Sequence, residues 1–192
     1  MLDDREIIER CRRGQRQWMD LLIDRYRMPL YSLCRRLARS RMDADDLFQD
    51  TWVNAMRGLD GFLLDHEFRT WLFAICVNRY RDQFRRRRRW LQLIGQRPAG
   101  THEDDAREAI GASAPDPAAG AVARAVREGV REAIGRLEDD FRVPVVLHYF
   151  QHLSMEEIGG VLEIPAGTVK SRLARAREKL RVALEETGNG RA

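Results

Sequence analysis

LSMEEIGGVLEIPAGTVKSRLARAREKLRVAL, residues 153–184, predicts two consecutive helices joined by a tight turn. Ser154 and Glu157 have the spacing of a capping box, in which each side chain binds the backbone N–H of the other residue. Glu163 to Pro165 supply the turn, and Pro165 suits the start of the second helix because that position needs no amide donor. Apolar residues recur every three or four positions, so each helix should bury one face. They are Ile158, Val161, Leu162, Val169, Leu173, Ala176, Leu180 and Leu184.

The opposite face of the second helix is polar and basic. It carries Thr168, Lys170, Ser171, Arg172, Arg175 and Arg177. In a helix-turn-helix, early residues of the second helix reach base edges in the major groove and later ones reach phosphates. A solvated amphipathic helix pair is the alternative reading. The tight turn between capped helices and the one-sided charge favour binding to duplex DNA.

The remainder of the chain also has a helical pattern. No stretch alternates apolar and polar residues for long, and no Asn-Gly or Asp-Gly hairpin turn is present. After residue 90 the sequence becomes rich in proline and glycine without a sustained apolar face, which predicts a flexible linker. The predicted fold class is all-α, with two small helical domains, residues 1–90 and 121–187, joined by a linker at 91–120.

Local signals within the helices give further expectations. Asp43 is a good N-cap for the third helix, and Pro29 should bend or break the second. Leu21 and Met56 fall on apolar faces and should be buried. The pair Gly159-Gly160 should weaken its helix by about 1 kcal/mol per glycine relative to alanine.

Charge is concentrated in blocks, although the net charge of the chain is only +4. Residues 79–89 hold seven arginines and one aspartate, and aromatic residues such as Trp71 and Phe84 lie nearby. Aromatic rings can stack on unpaired bases while arginines neutralise phosphates, which indicates single-strand binding. Core packing is the alternative for Trp71. The four aspartates between Asp43 and Asp50 indicate a protein-docking surface, or simply complement the helix dipole.

Composition argues against several classes of protein. Three widely spaced cysteines favour reduced thiols in a cytosolic protein over a disulfide framework or a zinc site. The charged N-terminus lacks a signal-peptide core and no apolar run is long enough to span a bilayer, so we expect a soluble cytoplasmic protein without membrane insertion.

A nuclease is the enzyme alternative, because Asp43, Asp46 and Asp50 lie near one helix face and carboxylates can bind Mg²⁺. No catalytic lysine, histidine or second acidic motif accompanies them. We therefore expect no enzyme activity, no metal and no cofactor.

Three motifs follow one another along the chain: DADDLFQDTW at residues 43–52, FRTWL at 68–72 with Asn78 and the arginines at 85–89, and LSMEEI at 153–158 with GTVKSRL at 167–173. In this order they resemble bacterial sigma-70 factors of the extracytoplasmic-function class, the smallest kind, with only the second and fourth sigma domains. The first motif is similar to the family's polymerase-binding helix. The second is similar to its promoter-melting helix, which reads the −10 element, and the third to the helix-turn-helix that reads the −35 element.

The resemblance implies a role for individual residues of this chain. Core polymerase would be bound by Asp45, Asp46, Leu47, Gln49 and Asp50. The −10 element would be contacted by Phe62, Asn78, Arg79, Arg85 and Arg86, with Asn78 and the loop from Phe62 to Phe68 holding a flipped base. The −35 element would be contacted by Thr168, Lys170, Ser171, Arg172 and Arg175.

The implied function is promoter selection for core RNA polymerase, with promoter DNA as the second partner. An anti-sigma factor is a further candidate partner, since the family is often held by one. The alternative is a stand-alone helix-turn-helix regulator that binds operators without polymerase. That alternative leaves the acidic and arginine-rich helices without a role.

Overall fold

A computed structural model describes residues 2–93 and 117–189, and every regular element in these residues is helical. The eight α-helices are α1 (Asp4–Arg12), α2 (Met19–Leu37), α3 (Arg41–Gly58), α4 (Phe68–Leu93), α5 (Pro117–Arg136), α6 (Asp139–Val145), α7 (Met155–Leu162) and α8 (Ala166–Asn189). Short 3₁₀ turns lie at Arg16–Trp18 and Leu59–Gly61, and a π-helical turn lies at Val146–Phe150. The all-α prediction is confirmed.

The predicted linker, residues 91–120, begins and ends inside helices. Helix α4 continues to Leu93 and α5 starts at Pro117. Proline is well tolerated at the first position of α5, because its missing N–H would have no partner there. Residues 94–116 lie outside the described part of the chain.

Helices α2, α3 and α4 pack on one another and form the N-terminal core, with α1 packed against α2. At its centre, the buried thiols of Cys34 on α2 and Cys76 on α4 lie with their sulfur atoms 3.7 Å apart. Cys11 is also a buried free thiol. The apolar stripes predicted for these helices supply the rest of the core. Its fully buried side chains include Leu22, Leu30, Leu33, Leu37, Leu47, Leu72 and Phe73.

The expected burial of Leu21 on α2 is wrong. Of the two outcomes expected at Pro29, a bend or a break, the break is excluded, because the helix runs through Pro29. Burial of the flanking apolar face holds the helix together despite the hydrogen bond that proline removes. Leu21 is 42% exposed, because the core-facing position of this turn is occupied by Leu22.

Helix α3 is capped three residues earlier than predicted. Its N-cap is Ser40, whose hydroxyl accepts a hydrogen bond from the Asp43 N–H at 3.1 Å. Asp43 is therefore in the first turn, where its charge still complements the helix dipole. Met56, expected on the buried face, is 48% exposed.

Residues between α3 and α4 are fixed by an aromatic cluster and by one arginine. The buried rings of Phe62 and Phe68 lie 5.7 Å apart, and Trp71 packs against both. Arg12 of α1 donates hydrogen bonds to the carbonyl oxygens of Leu59 and Phe62. The loop thus has a defined shape at the start of α4.

The helix-turn-helix prediction is confirmed by α7 and α8. The capping box is complete: the Ser154 hydroxyl accepts from the Glu157 N–H at 3.1 Å, and the Glu157 carboxylate accepts from the Ser154 N–H at 2.7 Å. Helix α7 ends at Leu162, and its C-cap Glu163 adopts the left-handed conformation at φ 57°. The N–H groups of Glu163 and Ile164 then both reach the Gly159 carbonyl.

Gly159 is required by this turn. A Cβ added to it would lie 2.8 Å from the carbonyl oxygen of Ile164, which is closer than real contacts allow. Gly160 faces open space, with no atom within 4 Å of an added Cβ. The expectation that both glycines merely weaken α7 holds only for Gly160, because at Gly159 the missing side chain lets the turn close over the helix.

The two glycines provide a matched pair of substitutions. Gly159→Ala should lower the free energy of unfolding by about 1–3 kcal/mol, because the turn backbone must move to admit the methyl group. Gly160→Ala should raise it by up to about 1 kcal/mol through helix propensity. Urea unfolding followed by circular dichroism measures both changes. Equal effects of the two variants would contradict the close approach at Gly159.

Candidate nucleic-acid interface

Helix α8 presents its basic face to solvent and its apolar face to the core. Lys170, Ser171 and Arg175 are exposed, whereas Val169 and Leu173 are buried. Since α7 and the turn hold the first two turns of α8, the exposed side chains project from a fixed surface. This is the arrangement by which a recognition helix enters a major groove.

Two predicted DNA contacts on α8 are less accessible. Arg172 forms a 3.2 Å ion pair with Asp140 of α6, and its side chain is only 24% exposed. Thr168 is half-buried, and its carbonyl oxygen accepts a 2.9 Å hydrogen bond from the Ser171 hydroxyl. Sequence reasoning missed Asp140, because a residue 32 positions away gives no local signal.

Positive charge further along α8 is balanced within the helix. Arg181 pairs with Glu178 and Glu185, each at 2.7 Å. These contacts raise the pKa of Arg181, and hydrogen bonding to Arg181 lowers the pKa of Glu178. The basic surface for an anionic partner is therefore concentrated in the first half of α8.

Helix α3 carries an exposed acidic surface. Asp46, Gln49 and Asp50 are all exposed. Asp45 is half-buried, and its carboxylate accepts a 2.8 Å hydrogen bond from the Tyr31 hydroxyl of α2. Burial, followed by this hydrogen bond, raises the pKa of Tyr31, so the tyrosine stays a donor. Asp45 therefore helps position α3 against α2.

Helix α4 carries the candidate −10 residues in its middle part. Asn78 and Arg85 are exposed, and Arg79 is half-buried. Arg85 pairs with Asp82 one turn earlier, at 2.5 Å. The backbone of Arg86 belongs to α4, but its side chain and the arginines that follow lie outside the described side chains.

Two predicted contact residues lie in the core. Leu47 is completely buried and Phe62 is 4% exposed. Neither side chain is exposed in this structure, and their contact with a partner stays a prediction. Phe62 instead orders the loop by packing on Phe68 and Trp71.

No group of three or more histidine, cysteine, aspartate or glutamate side chains is placed to hold a metal ion in residues 2–93 and 117–189. In the same part of the chain, no helix combines the length and apolar character needed to cross a membrane. The exposed charged and polar surfaces of the described residues are the acidic face of α3, the polar face of α4 and the basic face of α8.

Comparison with known families matches both halves of the chain. Residues 22–90 match the model of Sigma-70 region 2, and residues 127–180 match that of Sigma-70, region 4. The ECF RNA polymerase sigma factor SigW of Bacillus subtilis is 31% identical, over 93% of this chain and 95% of its own length. The ECF RNA polymerase sigma-E factor of Escherichia coli K12 is 32% identical, over 93% of each chain.

Two solved structures are similar to this chain over most of its length. CnrH, in complex with the cytosolic domain of CnrY, superposes with a TM-score of 0.68 at 27% identity, covering 95% of this chain and 97% of that one. The sigma factor RpoE from Bartonella quintana, in complex with the anti-sigma factor NepR, superposes with a TM-score of 0.71 at 25% identity, covering 87% and 96%.

Helical fold, motif order and similarity together define a sigma-70-type transcription initiation factor rather than an enzyme. The chain belongs to the extracytoplasmic-function (ECF) RNA polymerase sigma factors.

Proposed function

We propose that this sigma factor binds core RNA polymerase through the exposed acidic face of α3 and reads promoters with α4 and α8. The observation that carries the proposal is the separation of charge. Helix α3 is acidic on its exposed face. Helix α4 in the N-terminal half and helix α8 in the C-terminal half carry exposed polar or basic side chains. An acidic face suits a basic protein surface, and a basic one suits phosphates.

The proposed polymerase-binding residues are Asp46, Gln49 and Asp50, with Asp45 contributing at the edge. The three are exposed and follow one another along α3. The side-chain amide of Gln83 on α4 lies 3.5 Å from the Asp50 carboxylate, which joins the two helices, whereas the Asn54 amide binds the Asp50 carbonyl at 2.7 Å within α3. The orientation of α3 relative to the −10 helix is held mainly by the packing of α3 on α4.

The proposed −10 residues are Asn78, Arg79, Arg85 and Arg86 on α4. The ordered loop before α4, fixed by Arg12 and the aromatic cluster, supports a pocket for an extracted base. Such a pocket must offset the few kcal/mol lost when a base leaves the stack.

The proposed −35 residues are Lys170, Ser171 and Arg175, which are exposed on the first half of α8. Thr168 and Arg172 join them when the helix enters the groove, Arg172 by exchanging Asp140 for DNA. In this assignment residues 1–90 act as region 2 and residues 121–187 as region 4, with 91–120 connecting them.

The same proposal predicts the compartment in which the protein acts and the kind of protein that regulates it. Core polymerase and promoter DNA are found in the cytoplasm, so we place the protein there. The structural relative RpoE is bound by an anti-sigma factor. We infer that a protein of this kind also restrains the present chain.

Loss of two basic side chains on α8 should weaken promoter binding. For the variant Lys170→Ala with Arg175→Ala, the slope of log K against log salt should fall by about one for each phosphate that the protein no longer neutralises. The measurement is the affinity of the holoenzyme for a promoter fragment that the wild type transcribes, over a salt series.

Arg181→Ala is the control: it removes one positive charge from α8, against two in the double variant, and this charge is already balanced by Glu178 and Glu185. Its salt slope should equal that of the wild type. An unchanged slope in the double variant would exclude Lys170 and Arg175 as phosphate contacts.

Charge reversal on α3 should prevent assembly of the holoenzyme. Asp46→Arg with Asp50→Arg places positive charge against a surface that we expect to be basic, and like charges in an interface cost several kcal/mol. We expect no co-elution with core polymerase in gel filtration, and unchanged helicity by circular dichroism.

Asp20→Arg with Asp24→Arg makes the same change of charge at exposed positions of α2 and should co-elute normally. Co-elution of the α3 variant would overturn the assignment of α3. A protein that binds DNA tightly alone and never joins core polymerase would instead be a stand-alone regulator.

A further inference from the structure

Helix α1 lies before the segment that matches Sigma-70 region 2, which begins at residue 22, yet it is built into the N-terminal core. Ile7 and Ile8 are completely buried and Cys11 is buried beside them, so one face of this nine-residue helix is removed from solvent. The helix packs on α2 and on the 3₁₀ turn Leu59–Gly61. Helix α1 is therefore fixed in place next to the loop that precedes α4.

The segment from Phe62 to Phe68, which we call the −10 loop, is tied to α1 where it begins. Arg12, at the end of α1, donates from Nε and from Nη2 to the Leu59 carbonyl oxygen, at 3.0 and 2.8 Å. The same Nη2 also donates to the Phe62 carbonyl oxygen. A guanidinium can bridge two backbone acceptors because its N–H groups form a rigid planar fork. Arg12 therefore fixes the backbone at the start of the −10 loop.

The last residue of the −10 loop is tied to the other end of α1. Asp4 begins α1, and its carboxylate accepts hydrogen bonds from the Tyr26 hydroxyl and the Arg25 guanidinium, both on α2. Burial, followed by the bond to Asp4, raises the pKa of Tyr26, so its hydroxyl stays a donor. The Tyr26 ring packs on the Phe68 ring, with the ring centroids 5.4 Å apart. One short helix thus holds both ends of the loop, the first directly and the last through Tyr26.

The middle of the −10 loop has little support of its own. Within residues 62–67, all of which the structure describes, one backbone hydrogen bond has both partners in the loop, from the His66 N–H to the Leu63 carbonyl oxygen at 3.0 Å. Leu63 is 62% exposed, and Asp65 and His66 are exposed as well. These are the loop side chains that an extracted base can meet. Their positions therefore depend on how the two ends of the loop are held.

We propose that α1 is a brace for the −10 loop, and that Arg12 is a positioning residue that sets how strictly this loop discriminates between bases. The inference rests on the proposed function, because it takes the loop as the site of the extracted base. Arg12 is half-buried and directs its donors at backbone carbonyl oxygens, so it acts through the loop and not on DNA. Recognition requires groups held within about 0.5 Å of the correct geometry, and a loosened loop loses this precision.

The test is base discrimination by the holoenzyme. The probes are single-stranded oligonucleotides with the −10 element of a promoter that the wild type transcribes, and each of the four bases is placed in turn at each position. Fluorescence anisotropy gives the ratio of the affinities for the best and the worst base. At the position that the loop reads, Arg12→Ala should reduce this ratio roughly three- to tenfold, because the displaced loop loses part of each contact to the right base. Affinity for core polymerase and for a −35 duplex should not change.

Two substitutions next to or at Arg12 separate positioning from charge. Arg13→Ala removes the same charge from the following residue, whose side chain is 72% exposed and pairs with Glu9, and it should leave the ratio unchanged. Arg12→Lys keeps the charge and a donor on a flexible stem but lacks the planar fork, so it should recover part of the discrimination. Because it retains a cation at this half-buried position, it also serves as the test where the alanine variant does not fold.

Tyr26→Phe tests the other end of the brace. It removes the hydroxyl that binds Asp4 and keeps the ring that packs on Phe68. The ratio should fall at the same position of the −10 element, by a smaller factor than in Arg12→Ala, because the aromatic contact remains.

Three results would overturn the brace. They are wild-type discrimination in Arg12→Ala (or in Arg12→Lys, where the alanine variant does not fold), an equal loss of affinity for all four bases, and wild-type discrimination in Tyr26→Phe. Each leaves the proposed function intact. A wild-type holoenzyme that binds all four bases equally at every position would instead refute the assignment of the loop to the −10 element, and with it that part of the proposed function.

Discussion

The burial of α4 is the constraint on which the rest of the structure depends. One stripe of this helix, including Leu72, Cys76 and Val77, is removed from solvent by α2 and α3. The same burial fixes which side of α4 remains polar, and so where Asn78 and Arg85 point. Because α4 also packs on α7, this helix connects the N-terminal core to the helix-turn-helix. The surfaces proposed for polymerase docking, strand recognition and duplex recognition are all positioned relative to it.

Short-range signals in the sequence predicted much of this. The capping box of Ser154 and Glu157, the turn at Glu163 and the amphipathic α8 depend on residues three or four positions apart, and local chemistry determines them. Helix propensity alone misjudged Gly159, because the atom it must accommodate, the Ile164 carbonyl oxygen, approaches through the tertiary turn. Aspartate and serine are equally good N-cap residues, so local preference alone could not choose between Asp43 and the earlier Ser40. In the structure Ser40 is the cap.

The functional surfaces were predicted less completely, for a physical reason. A motif shows which residues belong together but not which of them face solvent. Leu47 lies within the motif at residues 43–52 and Phe62 lies in the loop before α4, yet both are core side chains. The partners that orient surface residues, such as Tyr31 for Asp45 and Asp140 for Arg172, come from other helices and have no signal in the local pattern. Contacts between side chains that are far apart in the sequence could be identified only from the structure.

The central claim is that this chain gives core polymerase its choice of promoter. The most direct measurement is transcription in vitro from genomic DNA by core polymerase, with and without the protein, followed by mapping of the transcript starts. The account predicts discrete new starts, each preceded by the same pair of elements near −35 and −10. Unchanged start sites, with the protein bound to DNA independently of polymerase, would contradict it.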